Sequence, residues 1–202
     1  MPSELNLRSE LGVAADTKLM IYSGGLNAAR GLDVAVAALP ELPDWHLGVV
    51  SLPFPHPMEA GFREQAERLG VAHRLSFAQP VPGTQILDYL STADVGLIPL
   101  STRFANLRAA MPNKLFEYIN AGLPVVSSDC SEMERFLTDH ELGATFVYPN
   151  PTGLALAVEA VHQKYPEGIG LDVREALREF ITWEAQEAIL ESCYLRLLGR
   201  AH

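Results

Sequence analysis

Residues 93–126 have the sequence ADVGLIPLSTRFANLRAAMPNKLFEYINAGLPVV, and their pattern indicates the fold class. The apolar run at residues 95–98 predicts a buried strand, and residues 113–120 have apolar side chains at helical spacing. A proline near the first turn and a glycine after the last turn are typical of the two ends of a helix. A second apolar run follows at residues 124–126. The stretch therefore predicts a strand, a crossover helix and a second, parallel strand.

The same alternation continues on both sides of this stretch. Apolar runs rich in branched residues predict strands at residues 19–22, 47–50, 75–77, 95–98, 124–126 and 145–148. Helical periodicity predicts helices at residues 32–39, 58–69, 85–90, 113–120, 132–137 and 154–162. Continuously apolar strands that alternate with helices are typical of a parallel sheet covered on both faces. We therefore expect one α/β, Rossmann-like doubly wound domain, closed by packed C-terminal helices at residues 173–180 and 183–198.

The composition excludes several classes of protein. A chain of 202 residues with 48% hydrophobic content is large enough for one domain with its own core, and its net charge of -10 disfavours binding to nucleic acid or to an anionic membrane. Cys130 and Cys193 are far apart, and the six histidines have no metal-ligand spacing, so we expect neither disulfides nor a metal site. Residues 1–11 carry charges and no later run is long enough to span a membrane, which predicts a cytoplasmic protein without a signal peptide.

A ligand is expected where the strand order reverses, beyond the carboxyl ends of the first and fourth strands. The loops that meet there are residues 23–31 and 99–113. In the first loop, Gly24 and Gly25 allow a ligand to approach the backbone closely. This loop is either a phosphate cradle or simply a tight turn, and the glycines alone do not decide between the two.

The helix at residues 113–120 has two faces. A helical projection places Leu115, Phe116 and Ile119 on one face. Lys114, Glu117 and Tyr118 are expected together on the other face. The spacing of Lys114 and Glu117 is compatible with an ordinary surface ion pair worth a few tenths of a kcal/mol.

Two cations stand where a helix amino end already attracts anions. Lys114 lies in the first turn of its helix, where a positive charge opposes the helix dipole, and Arg30 precedes the first predicted helix, at residues 32–39. A bound phosphate would relieve both conflicts. Glu117, one turn further along, suits the hydroxyl groups of a ribose. The pattern therefore favours a nucleoside diphosphate as the ligand over a surface ion pair.

These residues carry a resemblance to a known family. The chain resembles the C-terminal half of retaining glycosyltransferases with the two-Rossmann GT-B architecture, in the sucrose-synthase-like and mannosyltransferase-like group. The matching segments are residues 22–24, 30–33, 93–99, 112–118 and 121–126, and residues 180–184 with Tyr194. The block from Lys114 to Val126 is the most specific of them.

The resemblance implies a role for each candidate site residue. Arg30 and Lys114 bind the donor diphosphate and stabilise it as the leaving group, which makes them the catalytic residues of this domain, and Glu117 binds the ribose. Main-chain groups of the nucleotide site are implied at Gly24, Gly25, Pro112, Asn113 and Leu115. The implied reaction transfers a sugar from a UDP-, GDP- or similar nucleotide sugar with retained configuration, without a metal or other cofactor. The acceptor is implied to bind mainly to an N-terminal domain that this chain lacks, so we expect the chain alone to bind nucleotide and to transfer little sugar.

The chain also departs from the family pattern. Ala109 replaces the first glutamate of an E-x7-E pair, Gly25 replaces a basic residue, residues 51–55 replace a glycine-rich loop, and Gln79 replaces a glycine. Two other interpretations stay open: half of a nucleotide-sugar epimerase of the same architecture, and a noncatalytic assembly module. Glu132 and Glu134, after the fifth strand, are either acids near the donor or an ordinary exposed helix start.

Overall fold

The computed structural model describes residues 6–199, except for the side chains of Glu179 and Phe180. Residues 1–11 were predicted not to form a signal peptide, and the first five of them lie outside the described residues. His202, one of the six histidines, also lies outside them, as does the side chain of Phe180, which belongs to the family resemblance.

A six-stranded parallel sheet forms the centre of the described chain, with the strand order β3-β2-β1-β4-β5-β6. The strands are β1 (Lys18–Ser23), β2 (Trp45–Val50), β3 (Leu75–Ala78), β4 (Val95–Ile98), β5 (Val125–Ser128) and β6 (Gly143–Phe146). All six predicted strands are present. The order reverses between β1 and β4, because the chain crosses from β1 to β2 on one side and from β4 to β5 on the other.

The α-helices before β5 are α1 (Leu7–Leu11), α2 (Leu32–Ala38), α3 (Glu59–Arg68), α4 (Ile86–Leu90), α5 (Ala105–Arg108) and α6 (Asn113–Asn120). Those after β5 are α7 (Ser131–Asp139), α8 (Pro151–Lys164), α9 (Leu171–Ala176), α10 (Arg178–Ile181) and α11 (Trp183–Leu197). The short helices α1 and α5 were not predicted. The helix predicted at residues 173–180 is two short helices, α9 and α10.

Two hydrophobic cores cover the two faces of the sheet. Met20 and Tyr22 of β1 pack against α2, α3 and α8 on one face. Leu19 and Ile21, which alternate with them, pack against α1, α4, α6 and α7 on the other face. The α/β doubly wound fold expected from the sequence is therefore confirmed.

The last strand lies two residues earlier than its predicted position of 145–148. Gly143 pairs with Val125 so closely that a Cβ atom at Gly143 would lie 1.8 Å from the Val125 carbonyl oxygen. The N–H of Tyr148 donates instead to the Asp129 carboxylate at 3.0 Å, so Tyr148 is outside the ladder. A glycine that permits close strand pairing thus extends β6 at its start.

The prediction that the C-terminal helices pack as a closing tail is wrong for the last of them. No residue of α11 is buried, and the side chains of Trp183, Tyr194 and Leu197 are 63%, 59% and 83% exposed. The apolar residues of α11 are spread around the helix and do not form one stripe, so the sequence marks no single face for packing against the domain.

Candidate functional site

A cavity of about 400 Å³ lies at the carboxyl ends of β1 and β4, where the strand order reverses. Its lining consists of Ser23, Gly24, Gly25, Arg30, Val81, Gly83, Ile86, Pro112, Asn113, Lys114 and Glu117. The structure therefore brings together every candidate site residue except Leu115. The Leu115 side chain is fully buried in the core, and its N–H donates to the Pro112 carbonyl at 2.9 Å.

The glycine turn after β1 leaves room for a lysine. Gly24 has a φ of +129°, a conformation that side chains disfavour, and a Cβ atom there would lie 3.1 Å from Lys114 Nζ. The N–H of Gly24 donates to the Val50 carbonyl at 2.9 Å and is not available to a ligand. Within residues 6–199 the Gly25 N–H has no such partner. Of the two expected cradle groups, only the Gly25 N–H is therefore free to bind an anion.

The amino end of α6 opens onto the same cavity. Pro112 precedes the helix and provides no side-chain cap. The N–H groups of Asn113 and Lys114 form no hydrogen bond within the described part of the chain. Unpaired N–H groups at a helix start attract an anion because they carry the positive end of the helix dipole.

Lys114 is the most unusual side chain of the cavity. It is 8% exposed, and among residues 6–199 its Nζ has no hydrogen-bond partner. The Nζ lies 3.7 Å from the centre of the Tyr22 ring. Burial lowers the pKa of Lys114 to about 7, the nearby charge of Arg30 lowers it as well, and Glu117 raises it. The fold thus holds an amine in a place where its charge is unfavourable.

The other two charged residues complete an asymmetric site. Arg30 is half-buried, and no ion pair of its guanidinium appears among the described residues. Glu117 is also half-buried, and burial raises its pKa while the charge of Lys114 lowers it. No Lys114–Glu117 salt bridge forms within the described residues, so the interpretation of these residues as a surface ion pair is wrong.

The predicted faces of α6 need a correction. Tyr118 does not lie beside Glu117 on a polar face but is fully buried, and its hydroxyl accepts a 2.8 Å hydrogen bond from the Ser23 N–H. Lys114 precedes Tyr118 by four residues and shares its buried face, together with Leu115 and Ile119. A helical projection assigns a residue with a polar group to the exposed face, but a tyrosine can bury its ring and form a hydrogen bond with its hydroxyl.

Sequence analysis missed part of the lining. Val81, Gly83 and Ile86 come from the segment after β3, where the prolines and glycine of residues 80–83 signalled a turn but not its reach. The sequence alone did not assign Glu132 and Glu134 to the site, and they do not line the cavity. Glu132 forms an ion pair with Arg135 at 2.7 Å, and Glu134 is exposed.

The described residues form neither a metal-binding cluster nor a membrane-spanning helix. Within residues 6–199, no group of three or more histidine, cysteine, aspartate or glutamate side chains could hold a metal ion. None of the described helices has both the length and the apolar composition needed to cross a membrane.

Comparisons with known proteins identify relatives of this fold. The D-inositol 3-phosphate glycosyltransferase of Corynebacterium diphtheriae is 28% identical over 91% of this chain and 44% of its own length. Sucrose-phosphate synthase from Thermosynechococcus elongatus has a TM-score of 0.79 at 21% identity, over 96% of this chain and 49% of that protein. The HepE protein of Anabaena, solved in complex with UDP-glucose, has a TM-score of 0.74 at 17% identity, over 93% and 51% of the two chains.

The chain spans about half the length of each of these three proteins. The half-length match and the six-stranded sheet confirm the resemblance to one Rossmann-like domain of a GT-B glycosyltransferase. The family model described as glycosyl transferases group 1 matches residues 17–164, which include all six strands and the whole cavity. The chain belongs to the glycosyl transferases group 1 family.

Proposed function

We propose that this chain is the donor-binding domain of a retaining glycosyltransferase and that its cavity holds the diphosphate of a nucleotide sugar. The observation that carries the proposal is the Lys114 amine at the amino end of α6, which is buried and has no hydrogen-bond partner among residues 6–199. An unpaired buried cation is destabilising, so a fold that keeps one is expected to use it. A ligand with two adjacent phosphates supplies the missing negative charge.

The parts of the cavity match the parts of such a ligand. Lys114 and Arg30 supply two positive charges, and the start of α6 and the Gly25 N–H supply hydrogen-bond donors. Lysine has a flexible stem, so rotation about its last bonds brings Nζ from the Tyr22 ring to an anion in the cavity. Glu117 is suited to accept hydrogen bonds from ribose hydroxyls one helical turn away. The Anabaena protein, which has the same fold, holds UDP-glucose, and this supports the same class of ligand here.

These groups also fit the chemistry of sugar transfer. When the bond between the sugar and the diphosphate breaks, negative charge develops on the leaving phosphate. Once the donor is bound, Lys114, Arg30 and the helix amino end lie beside that charge and stabilise it. This arrangement needs no metal ion, and we propose retention of the anomeric configuration from the resemblance to retaining glycosyltransferases.

The acceptor is assigned to a second domain. The chain spans about half the length of the Corynebacterium diphtheriae and Thermosynechococcus elongatus relatives, which supports a second domain that holds the acceptor. We expect the isolated chain to bind nucleotide and to transfer sugar poorly. A transfer rate from the isolated chain that equals the rate of a two-domain protein would contradict this assignment.

A calorimetric titration panel tests the proposal. The ligands are UDP, GDP, ADP, uridine and UDP-glucose, added to the purified chain at pH 6.5. We expect one nucleoside diphosphate and its sugar to bind with a stoichiometry of one, and uridine to bind much more weakly because it lacks the diphosphate. Failure of every nucleoside diphosphate to bind would leave the noncatalytic module as the better interpretation, and an Arg30→Ala variant with wild-type affinity would exclude Arg30 from the site.

A further inference from the structure

Two buried tyrosines hold the glycine turn of the cavity from opposite sides. Tyr22 in β1 and Tyr118 in α6 both have no exposed surface. The Tyr22 hydroxyl donates to the Gly25 carbonyl at 2.8 Å. The Tyr118 hydroxyl accepts from the Ser23 N–H at 2.8 Å. Gly24 lies between these two hydrogen bonds, so both ends of the turn are fixed.

The Tyr118 contact fills a gap in the sheet. The pairing of β1 with β4 covers only Met20 and Ile21, so β4 provides no partner for the Ser23 N–H. The Tyr118 hydroxyl occupies this place and lies 3.3 Å from the Ile21 carbonyl and 3.4 Å from the Leu97 carbonyl, either of which can accept its proton. The opening between the two strands is thus closed by a side chain from α6.

The sequence provides space for this contact. A Cβ atom at Gly96 would lie 2.4 Å from a ring carbon of Tyr118. The glycine in the middle of β4 therefore lets the tyrosine ring pass close to the strand. The same helix presents Lys114 one turn before Tyr118, so the hydrogen bond to Ser23 fixes the distance between the lysine and the glycine turn.

Tyr22 acts on the lysine itself. Its ring lies 3.7 Å from Lys114 Nζ and is the aromatic face on which the buried amine rests. The ring belongs to the core on the opposite face of the sheet from α6, so the Lys114 side chain reaches across the carboxyl edge to meet it. Burial raises the pKa of Tyr22 to about 12, so its hydroxyl keeps the proton that it donates to Gly25.

We propose that Tyr22 and Tyr118 are positioning residues, which hold the Ser23–Gly25 turn against α6 so that Lys114 stands ready for the diphosphate. This inference rests on the proposed function of the cavity. Neither tyrosine lines the cavity, so each acts through its hydrogen bond to the turn and through Lys114. A lysine with a free flexible stem would otherwise occupy many positions, and fixing it before the ligand arrives favours binding.

The test compares Tyr22→Phe and Tyr118→Phe with Tyr89→Phe. Tyr89 is a matched control because it is equally buried and donates to Glu10 at 2.6 Å, away from the cavity. Affinities for UDP and for inorganic pyrophosphate are measured by calorimetry at 20 °C, well below the melting transition of each variant. We expect Tyr22→Phe and Tyr118→Phe each to bind both probes about three- to tenfold more weakly, and Tyr89→Phe to bind like the wild type.

A Lys114→Met background distinguishes positioning of the lysine by Tyr118 from a purely structural role of Tyr118. In a Lys114→Met background, Tyr118→Phe is expected to weaken pyrophosphate binding by less than about twofold, because the residue that it positions is gone. Wild-type affinity in both single Phe variants overturns the inference and leaves the proposed function standing. An undiminished effect of Tyr118→Phe in the Lys114→Met background also overturns it, since the tyrosine would then act independently of the lysine. A wild-type chain that binds no diphosphate overturns both proposals. If one Phe variant does not fold, the other decides the outcome.

Discussion

The lysines at the two edges of the sheet differ in whether a neighbouring group balances their charge. At the amino edge, Lys18 begins β1, lies 5.6 Å from the Trp45 ring centre and forms an ion pair with Glu159 at 3.6 Å. At the carboxyl edge, Lys114 lies over the Tyr22 ring at 3.7 Å and is more deeply buried, with no partner for its Nζ among residues 6–199. Both lysines contact an aromatic ring, but only the amino-edge lysine has its charge balanced.

A second cation at the amino edge shows the same contrast. Arg8 donates to the Thr92, Ala14 and Thr17 carbonyls and forms an ion pair with Asp94 at 2.8 Å. Such a satisfied cation stabilises the fold and leaves nothing over for a ligand. The unsatisfied lysine at the other edge is the kind of group that a ligand completes. In this fold, the missing partner and not the positive charge itself therefore distinguishes the lysine of the proposed site.

The largest expected effect on nucleotide binding comes from replacing Lys114 with methionine. Lys114→Met should weaken UDP binding by about ten- to hundredfold, roughly 1.5–3 kcal/mol, because a charge-assisted contact with the diphosphate is lost. Lys18→Met, the matched control at the other edge, should leave the UDP affinity unchanged. Calorimetry on both variants measures the contrast, and equal losses in the two would remove the distinction between the edges.

The pH dependence of binding is expected to follow Lys114. Because its pKa is lowered to about 7 in the free chain, the amine is charged below that pH and binding takes up no proton. Above that pH, binding must recharge the amine, so the affinity for a nucleotide sugar should fall about tenfold per pH unit. The measurement is a set of titrations between pH 6 and 8.5. A flat profile in the wild type would contradict the burial of this amine, and Lys114→Met should be flat.

Lys114→Met, which should weaken binding, is expected to make the folded chain more stable. At pH 6 the folded chain keeps Lys114 charged and buried, so Lys114→Met should raise the free energy of unfolding by roughly 1–3 kcal/mol. The gain should shrink as the pH rises from about 7 towards 10.5, where the amine is neutral in the fold but charged in the unfolded chain. Lys18→Met should lower stability by less than about 1 kcal/mol, because its ion pair is partly exposed. Urea denaturation measures both, and a destabilised Lys114→Met would assign that lysine to the fold.

The smallest expected effect concerns Glu117. Glu117→Gln should weaken UDP binding about three- to tenfold, since an amide accepts hydrogen bonds from ribose less strongly than a carboxylate. Binding of inorganic pyrophosphate, which has no ribose, should not weaken. A loss of the same size for both ligands would show that Glu117 acts on the phosphates indirectly, by keeping Lys114 charged.

The sequence predicted the fold well because the strands are long apolar runs that need no partner to be identified. All six strands, the doubly wound class and the approximate position of the ligand site follow from periodicity and chain order. Arg30 and Lys114 could be proposed because positive charges at a helix start conflict with local preferences. Glu117 could be proposed because a carboxylate one turn further along suits ribose hydroxyls. The chain order then placed them at one edge of the sheet.

The remaining features depend on tertiary contacts that no local pattern contains. The burial of Lys114 depends on the Tyr22 ring, 92 positions earlier in the chain. The position of Tyr118 depends on Gly96 and on the gap between β1 and β4. The Gly24 N–H is unavailable to a ligand because it donates to the Val50 carbonyl, whereas the Gly25 N–H is available. Helical projection alone therefore placed Tyr118 on the wrong side of α6.

A crystal structure of the chain with bound UDP tests the central claim most directly. If the unpartnered amine at the carboxyl edge serves a diphosphate, Lys114 Nζ will lie within about 3 Å of a phosphate oxygen, with the phosphates at the amino end of α6. UDP bound elsewhere, or bound in this cavity with Lys114 still resting on the Tyr22 ring and touching no phosphate, would contradict the account.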